Sequence, residues 1–403
     1  MSAIRLYEDN AYIRDFEAQI IGIASGDLGT EVTLDRTAFY PESGGQPCDH
    51  GFIADQAVLQ VLERDGEIIH ILASNCPLTE GPVKCRLDWE RRYDLMQQHC
   101  GQHILSAALD KLFGAATVGF HLTEEHTQID LAIEELTEAM IKEAEALANL
   151  AVHSPARICV HFPDAAALAE MPLRKPPTVA DGIRIVEVED FDWSPCCGTH
   201  PGCAAEVGLI KIIRVEKVKK QSRVEFLCGQ RAMRDYDAKN RLLLELSAML
   251  SIGTDEIPAQ ISRLQDTNKQ AKKELQEVRE KLLRHEADQL LAESADPETD
   301  LHIVSRVFPD RPTDELRLLA GFICAYPSAA AILAGTAGDS AHIILARSKD
   351  LDIHMGEICK QVAPFVAGRG GGSPQIAQCG GNDLSGLPQA LATATELIVK
   401  AKL

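Results

Sequence analysis

The sequence lacks any hydrophobic run long enough to cross a bilayer. No uncharged apolar stretch approaches the roughly 18 residues that a membrane-spanning helix needs. The N-terminal segment MSAIRLYEDNAYIRDFEAQ contains early acidic residues and no apolar core of the kind found in secretion signals. The composition, 45% hydrophobic and 25% charged, is typical of soluble globular proteins. We therefore expect a cytoplasmic protein.

An excess of positive charge is also missing. The chain has 40 basic and 60 acidic residues, a formal net charge of -20, which counts against an extended nucleic-acid surface because phosphate contacts need lysine and arginine. The charge is unevenly spread, however, and one stretch has Glu216 as its only acid. This stretch predicts either a local phosphate-binding face or a strand edge protected by lysines. Its basic residues are Lys211, Arg214, Lys217, Lys219, Lys220 and Arg223.

The cysteine spacing does not resemble a disulfide framework. Twelve cysteines are scattered irregularly over 403 residues without a secretion signal, so we expect reduced thiols or metal ligands and no structural disulfides. A chain of this length is too long for one ordinary core. It predicts two to four domains.

The first half of the chain predicts an α+β fold. Short alternating segments from Ala18 to Trp89 (AQIIGIA, EVTLDR, AVLQVLE, EIIHILA and PVKCRLDW) favour an antiparallel unit, a small β-barrel within a domain of residues 1–89. Residues 90–230 then mix helical and strand patterns. Predicted helices cover Arg92–Phe113 and Glu135–Val152, and the strand-like segments are QIDLAI, RICVHF, IRIVEV, VGLIKIIRV and SRVEFLC. These patterns predict a largely antiparallel sheet covered by helices.

Residues 231–295 have the pattern of a helical linker. A first helix, Ala232–Leu250, is followed by a turn that contains Gly253 and Pro258. The next helix carries a heptad seam, and two interpretations stay open: an antiparallel coiled-coil hairpin within the chain, or pairing between two chains with Asn268 fixing the register. The seam residues are Ile257, Ile261, Leu264, Asn268, Ala271, Leu275, Val278 and Leu282.

Residues 296–403 predict a C-terminal α/β domain after a polar linker around Ser294–Asp300. Its strand-like segments are LHIVSRVF, AAAILA and HIILARS, and its helical stretches are Asp314–Cys324, His354–Val366 and Gly386–Leu403. The segment GRGGGSPQIAQCGG, Gly368–Gly381, is unusually rich in glycine. It predicts either close backbone approach that could cradle an anion or a flexible loop.

Four residues form a candidate metal site. His99 and His103 are four apart on a predicted helix and therefore share one face. About ninety residues later, Cys196 and His200 lie four apart in a loop punctuated by proline and glycine. Three imidazoles and one thiolate suit Zn²⁺, which accepts mixed nitrogen and sulfur ligands. Cys197 is a rival to Cys196, whereas Cys100 and Cys203 are equally well explained as packing residues.

At this point the sequence resembles the editing domains shared by alanyl-tRNA synthetases and stand-alone alanyl-tRNA editing proteins. LDRTAFYPESGGQPCDHG resembles the Thr-x-Phe-Tyr segment and Gly-Gly-Gln motif of the family. RRYDLMQQHCGQHILSAAL resembles its zinc helix, and CCGTH its Cys-x-Gly-Thr-His loop. Ser43 and Cys197 stand where the family has glycine. The glycine-rich segment is similar to the signature of the C-terminal domain found in alanyl-tRNA synthetases and in DHH-type phosphoesterases.

The resemblance implies a zinc-dependent ester hydrolase with one Zn²⁺ per chain, held by His99, His103, Cys196 and His200. It implies a trans-editing role, removing serine or glycine from mischarged tRNA(Ala), because no synthetase catalytic domain precedes the barrel. The implied catalytic residues are Thr37, which would bond the seryl hydroxyl, and Gln46. The implied substrate-binding residues are Arg36, Gly44, Gly45, Gly198 and Thr199. The implied tRNA-binding residues are Lys217, Lys219, Lys220, Arg369, Gly370, Gly371 and Gly372.

Several alternatives remain open at this level. Four protein ligands are typical of a structural zinc, so the ion could be structural or catalytic. Thr37 could be an ordinary strand residue. Rival functions are a non-catalytic tRNA-binding protein, a zinc hydrolase of small esters, and a phosphoesterase, for which Cys48-Asp49-His50-Gly51 is the nearest approach to a catalytic cluster. The chain could be a monomer, or a homodimer assembled through the coiled coil or the C-terminal domain.

Overall fold

A computed structural model describes residues 3–73, 77–177, 179, 182–294 and 300–402. The fold is a mixture of helices and several sheets, which confirms the α+β class. The chain divides into two compact units, Met1–Met249 and Leu250–Leu403. Within the described ranges no helix has the length and apolar character that a membrane crossing requires.

The first unit begins with strands that surround an apolar interior. Strands β2, β3, β7, β6, β5 and β8 hydrogen-bond in that order and close into a barrel, while β1 and β4 form a short parallel pair. The five strand segments predicted here overlap β2, β3, β6, β7 and β8, and three of them extend one or two residues beyond the strand end. The short β5 has too few residues to show an alternating pattern. The elements are β1 (Ile4–Arg5), α1 (Leu6–Asp9), β2 (Asp15–Gly26), β3 (Gly29–Leu34), β4 (Arg36–Thr37), β5 (Gly51–Ile53), β6 (Gln56–Arg64), β7 (Glu67–Leu72) and β8 (Gly81–Leu87).

The remainder of the first unit is a helix-covered antiparallel sheet, as the sequence predicts. Its four-stranded sheet has the order β14-β15-β10-β9, and a separate three-stranded sheet has the order β11-β12-β13. The elements are α2 (Trp89–Phe113), β9 (Thr117–Leu122), β10 (Thr127–Leu131), α3 (Glu138–Val152), β11 (Ile158–His161), α4 (Ala165–Glu170), β12 (Ile185–Val188), β13 (Asp192–Pro195), β14 (Ile210–Val218), β15 (Gln221–Cys228) and α5 (Gly229–Leu250).

Helix α2 is central because it carries two of the candidate metal ligands. It begins three residues before the predicted start, since the Asp88 side chain caps it by accepting a hydrogen bond from the Arg91 backbone N–H at 3.2 Å. It ends at Gly114, which adopts a left-handed conformation. Nearly every residue from Leu95 to Leu109 is buried, so the helix runs through the core of the unit.

A buried ion pair fastens α2 to the barrel. The guanidinium of Arg92 and the carboxylate of Asp49 are both fully buried and hydrogen-bonded to each other. Asp49 also accepts the backbone N–H of Tyr40 at 2.6 Å, and Arg92 donates to the carbonyls of Ala11 and Ala38. The start of the metal-ligand helix is therefore locked to three segments of the barrel domain.

The second unit contains a long helix and a five-stranded sheet with a helix layer on each face. Strand order is β16-β17-β18-β20-β19, with β16 and β17 parallel and the other pairs antiparallel. Helices α6 and α7 pack on one face, and α8 and α9 pack on the other. The elements are α6 (Ile257–Glu293), β16 (His302–Phe308), α7 (Thr313–Ile323), β17 (Ala329–Ala337), β18 (Ser340–Arg347), α8 (Met355–Val362), β19 (Arg369–Gly372), β20 (Ile376–Gly381) and α9 (Leu387–Lys402).

Two sequence features take a specific form in this unit. The glycine-rich segment forms the whole of β19 and β20, rather than a flexible loop. A Cβ at Gly370 would lie 2.2 Å from the Cβ of Cys379, so glycine permits the close backbone approach. Most of the heptad seam on α6 is solvent-exposed, and 295–299 of the predicted polar linker lie outside the described residues.

We predict that Asp49→Ala lowers the free energy of unfolding by about 3–5 kcal/mol, because Arg92 would keep a buried charge without a partner. The measurement is urea unfolding of the first unit, with tryptophan fluorescence as the signal. Glu124→Ala is the matched control, since it removes the exposed partner of the neighbouring Arg91 and should cost less than about 1 kcal/mol. Equal losses in the two variants would contradict the role assigned to the buried pair.

Candidate metal centre

The four predicted ligands converge on one point. One donor atom from each of His99, His103, Cys196 and His200 lies within 4.8 Å of the other three. The Cys196 Sγ atom is 3.4 Å from Nε2 of His99 and 3.2 Å from Nε2 of His200. All three imidazole rings have centroids 4.8–5.3 Å apart. The structure therefore brings the helix pair and the loop pair together as the sequence predicts.

These separations fit a tetrahedral ion. With Zn–N bonds of about 2.0–2.1 Å and a Zn–S bond of about 2.3 Å, a tetrahedron separates nitrogen from sulfur by about 3.6 Å. The observed N–S distances of 3.2 and 3.4 Å are close to that value. A set of imidazoles and one thiolate also binds Zn²⁺ in preference to Mg²⁺ or Ca²⁺, which take oxygen ligands. The cluster can hold a metal ion.

The loop that supplies Cys196 and His200 follows β13 directly and depends on Gly198. A Cβ at Gly198 would lie 2.3 Å from Cε1 and 2.4 Å from Nδ1 of His99, far inside van der Waals contact. The Gly198 backbone N–H also donates to Cys196 Sγ at 3.3 Å. Glycine is therefore required here so that the loop can approach the helix closely.

Two of the histidines are oriented by side chains outside the ligand set. The Nδ1 atom of His99 lies 2.8 Å from Oε1 of Gln46, and Nδ1 of His103 lies 3.4 Å from Oδ2 of Asp192. Each contact holds Nδ1 and leaves Nε2 facing the cluster, as is usual for metal-binding histidines. Asp192 is in turn held by Arg174 at 2.8 Å. The Nδ1 atom of His200 is buried without a hydrogen-bond partner in the described chain.

The electrostatics favour a thiolate in the cluster. Burial alone raises the pKa of the Cys196 thiol, but the neighbouring imidazoles, of which His99 has the largest effect, outweigh burial and lower this pKa well below its usual value. Burial lowers the pKa of His200 to about 3, so its ring is neutral near pH 7. A thiolate beside a neutral imidazole is the protonation state that metal coordination needs.

A cavity of about 340 Å³ opens beside the cluster. Its lining includes three of the ligands (His99, His103 and Cys196), and part of its wall comes from Gly44 and Phe120. A volume of this size lies at the lower end of the range of small-molecule sites. The centre is therefore accessible to a small molecule.

The structure places the predicted catalytic residues differently from one another. Gln46 is buried at the cluster, where its Oε1 also accepts the Thr199 backbone N–H and its Nε2 donates to Thr199 Oγ1 at 2.8 Å. Thr37 is fully buried inside the barrel, with its hydroxyl 2.9 Å from Nε2 of His70, and it is not among the residues that line the cavity. Gln46 thus holds the ring of His99, while the Thr37 hydroxyl is hydrogen-bonded to His70 within the barrel domain.

The other predicted substrate-binding residues are also divided. Gly44 lines the cavity and Gly45 follows it in the turn closed by Ser43 and Gln46, both glycines with positive φ. Gly198 lies against the His99 ring and Thr199 is hydrogen-bonded to Gln46, but neither residue lines the cavity. Arg36 is remote from them: it is exposed on the barrel and pairs with Asp35 at 3.2 Å.

The predicted basic face is mostly neutralised. Four of its six cations form ion pairs: Lys211 with Glu145, Arg214 with Glu216, Lys217 with Glu134 and Arg223 with Asp130. Within the described chain, Lys219 and Lys220 have no ion pair; they lie in the turn between β14 and β15. Sequence reasoning missed Asp192, Arg174 and Arg184; the position of Asp192, four residues before Cys196, was the one available signal.

Comparison with known proteins agrees with this geometry. A family model described as the threonyl and alanyl tRNA synthetase second additional domain matches residues 183–224, and a DHHA1 domain model matches residues 302–400. The chain is 32% identical over 389 residues to alanyl-tRNA editing protein AlaX-L of Pyrococcus horikoshii, covering 93% of each chain. It is 31% identical over 281 residues to alanyl-tRNA editing protein Aarsd1 of Danio rerio, covering 66% of this chain and 68% of that protein.

A third relative shows how the same region occurs within a longer protein. The chain is 30% identical over 417 residues to an alanine–tRNA ligase of Methanosarcina barkeri, covering 98% of this chain but 44% of the ligase. The matched domains and the four-donor centre define a protein of the class that carries the second additional domain of these synthetases. Similarity along nearly the whole of AlaX-L narrows the assignment. The chain belongs to the alanyl-tRNA editing protein family.

We predict that Gly198→Ala lowers affinity for Zn²⁺ by at least about tenfold, because the new methyl group would displace the His99 ring from its partner Gln46. Competition with a chromogenic chelator measures this affinity directly. Gly202→Ala is the control: the nearest atom to a Cβ there is the Tyr12 hydroxyl at 3.5 Å, an ordinary contact. Unchanged affinity in the Gly198 variant would show that the loop does not need this close approach.

Proposed function

We propose that this protein is a trans-editing hydrolase that removes serine or glycine from mischarged tRNA(Ala). The observation that carries the proposal is a cluster of four possible metal ligands at an accessible cavity: His99, His103, Cys196 and His200. The chain also matches one alanyl-tRNA editing protein, AlaX-L, over 93% of its length. The reaction is hydrolysis of the carboxylic ester between the amino acid and the terminal ribose.

The need for such a reaction follows from molecular size. A synthetase pocket built for alanine cannot strongly reject glycine, which is smaller, or serine, which adds one hydroxyl to the same frame. A separate hydrolytic site therefore improves fidelity. The site must distinguish esters that have already been formed.

Zn²⁺ is the metal that best fits the donor set, with one ion per chain held by the four residues. When bound, the ion supplies Lewis-acid chemistry, polarising an ester carbonyl or lowering the pKa of a water molecule. Four protein ligands are also the pattern of structural zinc, and measurements of both activity and thermal stability distinguish the catalytic role from the structural one.

The protein's own groups orient the ester. The turn of Gly44 and Gly45, of which Gly44 lines the cavity, would supply backbone N–H groups to the ester oxygen as negative charge develops on it. Gln46 acts through His99, because its amide is occupied by the His99 ring and Thr199. Gly198 and Thr199, in the loop after β13, contact His99 and Gln46 and so help to hold both side chains in place.

A contact between Thr37 and the seryl hydroxyl stays a prediction. In its present position the Thr37 hydroxyl bonds to His70 and accepts the Phe39 backbone N–H. A contact with substrate would require the threonine to exchange these partners. Thr37→Val, tested on Ser-tRNA(Ala) and Ala-tRNA(Ala), decides this: a changed ratio of rates supports the contact, and an unchanged ratio assigns Thr37 to the barrel.

The remaining parts of the chain are proposed to serve tRNA and assembly. We assign residues 1–89, 90–230, 231–295 and 296–403 as barrel, editing, helical and C-terminal domains. The candidate tRNA contacts are Lys217, Lys219 and Lys220 in the β14–β15 hairpin and the exposed edge strand of Arg369, Gly370, Gly371 and Gly372. Lys217 would have to exchange Glu134 for a phosphate.

Competing functions have less support. The Cys48-Asp49-His50-Gly51 segment does not form a phosphoesterase centre, because Asp49 is buried against Arg92. A complete set of metal ligands at an open cavity also counts against a non-catalytic scaffold.

The proposal predicts that zinc-loaded protein deacylates Ser-tRNA(Ala) and Gly-tRNA(Ala) faster than Ala-tRNA(Ala). Asp192→Asn should lower kcat/KM by about 10–100-fold by loosening His103. His153→Asn, at an exposed position on the end of α3, is the control. Thermal melting of each variant separates loss of activity from loss of fold. Absence of Ser- and Gly-tRNA(Ala) deacylation by the loaded protein would contradict the proposal and favour the scaffold.

We also propose that the chain forms a homodimer through α6. Five apolar residues of the heptad seam are 42–68% exposed in the single chain: Ile261, Leu264, Leu275, Val278 and Leu282. In a coiled coil, apolar residues at these positions are covered by a partner helix. Asn268 would fix the register of the pair.

Sedimentation equilibrium tests the dimer. The unaltered chain should sediment as two copies, and Leu275→Glu should shift it toward the monomer by placing a charge in the seam. Lys272→Glu, one residue outside the seam, should leave the assembly unchanged. A monomeric unaltered chain at micromolar concentration would overturn the proposal.

A further inference from the structure

One wall of the metal cavity contains a buried cation without a carboxylate partner. Arg184 is 7% exposed, and its Nη1 donates to the backbone carbonyls of Cys196 and Gly198 at 2.9 and 2.8 Å. Its Nε is buried and has no hydrogen-bond partner. No ion pair joins Arg184 to any carboxylate of the described residues. An arginine buried in this way is costly unless a negative group approaches it.

The rest of the cavity points to the same kind of ligand. Although 60 of the 403 residues are acidic, none of the described residues that line the cavity is aspartate or glutamate. Lys175 lines it, is exposed, and forms no ion pair in the described chain. Arg174 lines it too, but its charge is neutralised by Asp192. Two cations without a carboxylate partner among the described residues therefore line one small cavity in a strongly acidic protein.

We propose that Arg184 and Lys175 form a phosphate subsite, which binds the phosphodiester on the 5′ side of the terminal nucleotide while the ester lies at the metal cluster. This inference rests on the proposed function for the identity of the ligand. The aminoacyl end of a tRNA carries a positive ammonium group on the amino acid, a neutral ester and a negative phosphate. Of these three groups, the phosphate is the one that complements two cations.

The subsite would give the centre its preference for nucleotide esters. A cavity of about 340 Å³ takes a single aminoacyl-nucleotide, so the nearest phosphate is the one group of the tRNA backbone that can reach its wall. Arg184 is also bonded to the carbonyls of Cys196 and Gly198, the loop that supplies two metal ligands. Arg184 would thus both bind the phosphate and hold the loop that supplies Cys196 and His200.

The first test uses zinc-loaded protein and two minimal substrates, 3′-O-seryl-adenosine with and without a 5′-phosphate. We expect the phosphate to raise kcat/KM by about tenfold, the effect of one good charged contact. Lys175→Ala should reduce this ratio severalfold, chiefly by raising KM for the phosphorylated substrate. Lys84→Ala, on barrel strand β8 away from the cavity, should leave the ratio unchanged. An unchanged ratio in Lys175→Ala overturns the subsite, as does an equal fall in kcat for both substrates.

The second test does not depend on hydrolysis. Calorimetric titration should show that adenosine 5′-monophosphate binds at least about tenfold more tightly than adenosine, and that Lys175→Ala and Arg184→Gln reduce this difference. Thermal melting checks that Arg184→Gln is folded; Lys175→Ala, a surface change, carries the test if it is not. Tighter binding of the phosphorylated nucleoside without any deacylation would leave the subsite standing and remove the proposed function. Equal binding of the two nucleosides overturns the subsite.

Discussion

The structure depends on holding four donor atoms, from segments about ninety residues apart, within 4.8 Å of one another. Neither segment can do this alone. Helix α2 fixes the direction of His99 and His103, and its start is locked to the barrel by the buried pair of Arg92 and Asp49. The loop after β13 must then approach the helix so closely that only glycine fits at 198. The barrel, the helix and the loop therefore all contribute to the position of this four-residue cluster.

The polar residues around the cluster follow from this constraint. A histidine that is to bind through Nε2 must be held at Nδ1, and Gln46 and Asp192 provide those contacts from different elements. Gln46 also bonds to Thr199, which ties the barrel to the ligand loop directly. Among the described residues, Nδ1 of His200 has no corresponding partner.

The local patterns in the sequence were sufficient to predict the α+β class, most of the strands and the four residues that form the cluster. The spacing alone predicts that two histidines four apart on a helix lie on the same face. The same spacing of a cysteine and a histidine in a glycine-containing loop allows both side chains to turn toward one point. Partners that depend on tertiary contacts carry no such signal. The pairing of Thr37 with His70, of Gln46 with His99 and of Arg184 with loop carbonyls requires knowledge of which strands become neighbours. The predicted basic face illustrates the same limit, because most of its acidic partners come from distant elements.

The most direct test of the metal centre is X-ray absorption spectroscopy at the zinc K-edge on protein loaded with the metal. We predict one tightly bound ion per chain, with three nitrogen neighbours at about 2.0–2.1 Å and one sulfur neighbour at about 2.3 Å. A Cys196→Ser variant should lose the sulfur shell, whereas Cys197→Ser should retain it. A first shell without sulfur in the unaltered protein, or a sulfur shell that survives in Cys196→Ser, would contradict the assigned centre.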